Sequence, residues 1–517
     1  MPLVNHAKPV QQADADAPFA FLEVTVAELS ARMQAHTLDC QTLVAAYLAR
    51  IEAIDRRGPR INAIIEVNSR ALEEARELDA ERVAQGPRGP LHGIPILLKD
   101  NIATADGLLT TAGSLALAGQ RAARDAHLVT RLRAAGALIL GKTNMSEWAN
   151  FRSTRSTSGW SGRGGLTRNP YALDRNTSGS SSGTGAAIAA NLAALGVGTE
   201  TDGSIVSPAS INGLVGIKPT LGLISRTGII PISHSQDTAG PMTRSVADAA
   251  LLLSVLAGPD PKDSATVGVR PRFDYGAALN RESLRGARIG VARNVFGDNE
   301  LVRGVIERAL RTLAAAGATL VDPVEIPNLD KYGDSELAVL LYEFKDGLNR
   351  YLPEFAPGAP VHDLTELIAW NRTHASEELA YFGQELLEKA EAKGDLSTPE
   401  YRDALANNGR YARVEGLDTA LAEHKLDALV APTGGPAWMT DFVNGDHSGA
   451  SFSSPAAVAG YPHVTVPAGH IWGLPVGLSF VGPAFSEARL IGYAYAFEQA
   501  SQARNAPQFL PTARRDD

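Results

Sequence analysis

Thr177-Ser178-Gly179-Ser180-Ser181-Ser182-Gly183, then the small-residue run 184–194, then Gly196-Val197-Gly198-Thr199-Glu200-Thr201-Asp202-Gly203-Ser204-Ile205 is the stretch on which the reading of this chain turns. Residues 175–231 are rich in Gly, Ser and Thr, as a flexible linker would be, yet they keep the apolar runs 192–197 and 214–217. A linker carries no such runs, so the segment reads as packed backbone, with residues 184–194 as a helix whose small side chains allow close approach. Outward from it, short apolar runs at 93–98, 137–140 and from Val197 onward alternate with helical patterns such as 127–135. That alternation predicts an α/β fold, with a β-sheet core covered by helices on both faces.

Towards the N-terminus, residues 26–33 and 43–54 show apolar positions at three- and four-residue spacing, closed by Arg57-Gly58-Pro59. Cys40 falls at the start of the second helix, where Ser or Thr commonly caps. Towards the C-terminus, residues 329–426 read as long amphipathic helices with charged stretches such as 385–393, a helical insert lying over the sheet. Strand signals return at 428–431 and 464–467, and residues 484–502 read as a closing helix. The expected organisation is a leader over residues 1–20, marked by Ala13-Asp14-Ala15-Asp16-Ala17-Pro18, and one domain over 21–517. No internal repeat of fixed period is visible.

Composition narrows the function classes. Of 517 residues, 48 are Lys or Arg and 57 Asp or Glu, a formal charge of −9, which disfavours binding nucleic acid through its phosphates. With one cysteine, an intramolecular disulfide and a multi-cysteine zinc site are both excluded. No window approaches the ~18 consecutive apolar residues of a membrane span. The leader lacks an apolar signal core, so the chain reads as cytoplasmic, with export after signal removal as the alternative.

Three motifs invite chemistry. Gly136 to Thr143 has the spacing of a phosphate-binding loop, but its intervening residues 137–140 are apolar and suit a buried strand. Gly179-Ser180-Ser181-Ser182-Gly183 has the spacing of a nucleophile elbow centred on Ser181; however, an elbow follows an apolar strand, and the preceding residues 173–178 are polar. The third constellation pairs Lys99, at the end of the apolar run Gly93-Ile94-Pro95-Ile96-Leu97-Leu98, with the turn 200–205. Burial at a strand end disfavours an ammonium and makes Lys99 a candidate base. Consecutive N–H groups in the turn can converge on one oxygen. Ser180 and Ser204 are separated by one helix and one short strand, which lets both return to one place.

With those residues in view, the sequence closely resembles the amidase signature family. The match runs through Thr177 to Gly183, Gly203-Ser204-Ile205-Val206-Ser207-Pro208-Ala209 and Gly216-Ile217-Lys218-Pro219-Thr220. It includes the lysine segment 93–101, Gly141-Lys142-Thr143-Asn144 and Ser235-Gln236-Asp237-Thr238-Ala239-Gly240-Pro241. The resemblance implies a mixed β-sheet, with Lys99 as base, Ser180 as the bridging cis-serine and Ser204 as nucleophile. Thr201, Asp202, Gly203 and Ser204 take the oxyanion positions, and neither metal nor cofactor is implied. Where the family usually has Gly-Gly-Ser-Ile-Arg, this chain has Asp202-Gly203-Ser204-Ile205-Val206. The wording of 199–204, Gly228-Ile229-Ile230-Pro231-Ile232-Ser233 and Trp148-Ala149-Asn150-Phe151 is most similar to the peptide amidase branch. That branch implies deamidation of peptide C-terminal amides, without an obligate partner chain. Aryl acylamides, carbamates and short aliphatic amides are the alternative substrates, and an amidotransferase-type subunit that works only with a partner is the alternative role. Trp148, Phe151 and Ser181 are the expected substrate contacts, with the loop 438–452 bordering the cleft. His92, His127, His234 and His463 are expected to be structural.

Overall fold

Eleven strands form one mixed sheet, running across it in the order Ile64–Val67, Leu138–Thr143, Pro95–Lys99, Leu195–Glu200, Thr238–Thr243, Val215–Lys218, His463–Ile471, Leu474–Val481, Ala428–Pro432, Arg288–Ala292 and Thr319–Val324. The computed structural model describes residues 19–270 and 274–515, so the expected leader falls outside the described residues except for Phe19 and Ala20. Pro95–Lys99 is parallel to both of its neighbours, Leu138–Thr143 and Leu195–Glu200, whereas the centre of the sheet is antiparallel. Every residue of the strands Pro95–Lys99, Leu195–Glu200, Val215–Lys218 and Thr238–Thr243 is buried. Covered on both faces, such strands read as continuous apolar or small-residue runs and not as alternation. At the far edge, Thr319–Val324 is largely exposed and carries Asp322 and Pro323, residues that discourage pairing with another chain.

The Gly/Ser-rich segment is interior backbone. Its helix is Ser182–Ala189, earlier and shorter than the expected 184–194, and all eight of its residues are buried. A left-handed Asn191, at φ 58°, turns the chain so that the apolar run 192–197 divides between this turn and the strand Leu195–Glu200. Gly183 is required by proximity: a Cβ there would lie 2.3 Å from the Ala63 carbonyl oxygen and 2.5 Å from that of Asn144. The phosphate-loop spacing at 136–143 is resolved as the buried strand Leu138–Thr143, and the Lys142 amine donates to the Ile102 carbonyl (2.6 Å) and Thr110 Oγ1 (2.9 Å). Cys40 opens the helix Cys40–Arg50, but Asp39 is its cap, accepting from the Thr42 N–H at 2.7 Å.

Between the strands Thr319–Val324 and Ala428–Pro432 the chain is helical, beginning with Gly333–Phe355 and continuing through Leu364–Thr373, Glu385–Glu391 and Pro399–Asn408. Phe344, on the first of these helices, is fully buried, with its ring 6.4 Å from Trp148 and 5.1 Å from Phe151. Trp148 and Phe151, expected as substrate contacts, are therefore part of the seam between these helices and the sheet. The cause is local: Trp148, Ala149 and Asn150 all have left-handed backbone, at φ 48°, 55° and 68°. This tight turn sends Trp148 inward and leaves Ala149 and Asn150 facing the cavities. Phe344→Ala should cost about 3–5 kcal/mol of stability, as for other buried Phe truncations, read as a lowered urea midpoint.

Candidate active site

Parallel neighbours end on the same side of a sheet, so Lys99 and Glu200, each closing its strand, emerge together at the carboxyl edge. The turn Thr201 to Ser204 follows directly. Ser180 sits two residues before the helix Ser182–Ala189, whose preceding loop approaches the same edge, and the Gly179–Ser180 peptide is cis. The Ser181 N–H donates to the Ser204 carbonyl at 3.2 Å, which joins the two segments.

Lys99 is fully buried. Its amine lies 2.7 Å from Ser180 Oγ, 2.9 Å from Thr199 Oγ1 and 3.2 Å from the Thr199 carbonyl oxygen. Burial is the largest influence on it and lowers its pKa from 10.5 to about 7, while the nearby Asp237 and Glu200 partly oppose that fall. A neutral amine has two N–H donors and one lone pair. Thr199 offers two acceptors, so the lone pair is left for the Ser180 hydroxyl. Asn101 Nδ2 donates to Thr199 Oγ1 at 3.0 Å and fixes that side chain. No local motif gives Thr199 or Asn101 a role, although both lie within the segments 196–205 and 93–101. Hydroxyl and amide side chains at such positions signal nothing until the lysine is seen between them.

The turn after Glu200 is held from below and from the side. Glu200 Oε2 accepts from the N–H groups of Ile205 (2.7 Å) and Val206 (3.0 Å). Thr201 Oγ1 donates to Asp237 Oδ1 at 2.6 Å, and Asp237 Oδ2 accepts from the N–H groups of Ile232 and Ser233, both at 2.9 Å. Burial pushes the Asp237 carboxyl up to about 6, against the pull of these donors. Gly203 has φ 78°, the left-handed region that lets the chain double back here. The N–H groups of Asp202, Gly203 and Ser204 donate to no group among the described residues. Ser204, buried at 8% exposed, directly follows Asp202 and Gly203, which line the cleft, and its hydroxyl makes no hydrogen bond with Ser180 in this structure.

Ser181 occupies a different place from the one expected of a substrate contact or an elbow nucleophile. Its side chain is fully buried, with the hydroxyl donating to the Thr199 carbonyl at 3.0 Å and accepting from the Thr199 N–H at 3.2 Å. It latches the Gly/Ser loop to the strand and borders no cavity at the site.

A small chamber of about 10 Å³ lies against Ser180, Thr199, Thr201 and Asp237. Beside it a cleft of about 200 Å³ opens over Gly179, Asp202 and Gly203, with Asn150, Trp438 and Asp446 on its walls. Past Trp438 it continues into a groove of about 610 Å³ bordered by Phe296 and Asn299. Of the loop 438–452, Trp438, Asp446 and Ser448 line the cleft, while Phe452 is core. No histidine lines the chamber or the cleft. Among the described residues no three His, Cys, Asp or Glu side chains are grouped to hold a metal ion, and no helix is long and apolar enough to cross a membrane.

Residues 42–491 match the family model Amidase. The chain belongs to the amidase signature family. The native peptide amidase of Stenotrophomonas maltophilia superposes with a TM-score of 0.91 at 55% identity, over 95% of this chain and all of that one. A probable amidase of Arabidopsis thaliana is 42% identical over 503 residues, covering 95% of this chain and 93% of its own. A subunit of the glutamyl-tRNA(Gln) amidotransferase of Halorhodospira halophila is 36% identical over 92% of this chain and 97% of its own. Membership makes this amidase an amide-hydrolysing enzyme, and the large mixed sheet flanked by helices is the architecture of its structural relatives.

Proposed function

We propose that this amidase hydrolyses carboxamides through Ser204, Ser180 and Lys99, and that its substrates are peptides bearing a C-terminal amide. The observation that carries the mechanism is the buried Lys99 amine 2.7 Å from Ser180 Oγ and within hydrogen-bond reach of two Thr199 acceptors; burial lowers its pKa to about 7, so its neutral form, with N–H groups directed at Thr199 and lone pair at Ser180, is available at and above neutrality. A serine hydroxyl is a poor attacker unaided, and an amide needs a proton for its leaving nitrogen. Lys99 takes the proton of Ser180 as Ser180 takes that of Ser204, and Ser204 Oγ adds to the carbonyl carbon. The oxygen that becomes negative is received by the N–H groups of the Thr201 to Ser204 turn, a contribution of about 3–4 kcal/mol for a single donor in comparable sites. The relay then runs backward and protonates the departing nitrogen, ammonia leaves, and water cleaves the acyl-enzyme by the same route. Rotation of the Ser204 side chain towards Ser180 on substrate binding closes the remaining link.

The substrate assignment is supported by 55% identity to a peptide amidase over nearly the whole chain and by the cleft, which runs on past Trp438 far enough to seat several residues. A terminal carboxamide releases only ammonia, so the chamber under Thr201 and Asp237 can stay closed; an internal bond would have to pass a chain through it. The relatives from amidotransferase complexes favour a second reading, in which ammonia is released only for a partner chain.

Incubating the purified chain alone with a peptide that has both internal bonds and a C-terminal amide, then weighing the products, separates these readings. The expected product is the full-length peptide acid plus ammonia; internal fragments with the amide intact sink the substrate assignment, and inertness without a partner favours the second reading. A fluorophosphonate should label Ser204, and Ser204→Ala should abolish both labelling and turnover while the fold persists; an adduct on Ser181 defeats the relay. Because neutral Lys99 is the active form, kcat/KM should climb about tenfold per pH unit below pH 7 and bend near about 7, and Lys99→Ala should lose nearly all activity.

A further inference from the structure

The first helix after the strand Thr319–Val324 meets the turn beside Ser204 at one polar point. Glu336 lies in the opening turn of Gly333–Phe355, and its carboxyl is in hydrogen-bonding contact with that of Asp202. Gln236 reaches both partners of this seam, with Nε2 donating to Glu336 Oε1 at 2.9 Å and to the Thr201 carbonyl at 3.3 Å. Ser454 donates to Asp202 Oδ2 at 2.6 Å. Asp202 Oδ1 is buried and receives no hydrogen from any N–H or hydroxyl among the described residues. Two carboxyls in contact in a half-buried seam are disfavoured as a doubly charged pair, and a proton between them supplies the donor that Asp202 Oδ1, itself buried, lacks.

We propose that Glu336 is a positioning residue for amide hydrolysis: its carboxylic acid donates a hydrogen bond to Asp202, pins the Thr201 to Ser204 turn in the conformation that presents its N–H groups, and releases the turn when it ionises. This rests on the reading of that turn as the oxyanion site. Burial first, then the charge of Asp202, raises the Glu336 carboxyl well above the usual carboxylate range, so the acid form is the one present near neutrality. The other groups that face the pair are Tyr332 on the same helix, and Glu200 and Lys218 below Asp202 on the sheet. Lys218 is lowered to about 8 by burial and also titrates in the alkaline range, so a variant must tell it from Glu336.

The two ionisations act in opposite directions. Lys99 must lose its proton and Glu336 must keep its own, so the activity of the wild type is bell-shaped, with an alkaline limb falling about tenfold per pH unit. In Glu336→Gln the amide still donates to Asp202 and accepts from Gln236 but cannot ionise. The test is kcat/KM against pH, from about 5 to 10, on one amide substrate for wild type, Glu336→Gln and Glu336→Ala, with fluorophosphonate labelling of Ser204 run alongside. The expected result is near-wild-type activity at neutral pH and no alkaline limb for Glu336→Gln, and a kcat lowered about 10- to 100-fold with a much smaller change in KM for Glu336→Ala. An infrared carboxylic-acid band present at neutral pH in wild type and missing in Glu336→Gln gives a readout independent of turnover. An alkaline limb that persists in Glu336→Gln while Ser204 is labelled assigns the limb to another group such as Lys218 and overturns the proposal, as does a wild type with no limb. Failure to label Ser204 in the wild type overturns the underlying site reading instead.

Discussion

A lysine amine taken wholly out of water at the end of a buried interior strand of the sheet is the constraint around which this molecule is arranged. An isolated ammonium in that position would be strongly disfavoured, and the group escapes by giving up its proton near neutrality. Its neighbours are consistent with a neutral amine, since Thr199 presents acceptors to it, Asn101 holds Thr199, and the carboxyls of Asp237 and Glu200 are kept busy with backbone N–H groups and the Thr201 hydroxyl. A fully ionised carboxylate placed directly on Lys99 would restore the ammonium and rule out the base role proposed for it.

The same burial explains why so much of the surrounding backbone is Gly, Ser and Thr. Two strands, the Gly/Ser loop and the turn after Glu200 converge on a small volume, and backbone reaches backbone at distances that exclude a Cβ, as at Gly183. Small hydroxyl side chains fill what is left and satisfy polar atoms that solvent cannot reach. Ser181 is the clearest case: its hydroxyl closes both hydrogen bonds to Thr199 and so ties the loop carrying Ser180 to the strand neighbouring Lys99.

The helices between residues 333 and 423 act on this centre through two unlike contacts. One is apolar, with Phe344 seated on Trp148 and Phe151, and it fixes where the helices lie. The other is polar, where Glu336 and Gln236 meet the turn at Thr201 and Asp202. The first contributes stability without sensing pH; the second, in the proposal made above, couples the position of a helix to a proton beside the turn that carries Ser204.

The sequence by itself determined the fold class and the family, because both are written in local signals: continuous apolar runs for strands covered on two faces, helical periodicity between them, and the two-part Gly/Ser block. It also singled out Lys99, Ser180 and Ser204, since a charged residue closing an apolar strand and serines on turns next to it are visible one segment at a time. The tertiary structure alone decided which way side chains face. Trp148 and Phe151 look the same in sequence whether they border a cleft or fill a core, and three left-handed residues turned them inward. Ser181 and Ser180 are adjacent and chemically identical, yet only the approach of the Lys99 strand makes one a partner of the amine and the other a latch. Thr199, Asn101 and the Glu336–Asp202 contact were beyond sequence reasoning for the same reason: their meaning lies in pairings across the fold, up to 134 residues apart for that carboxyl pair, and no local pattern records them.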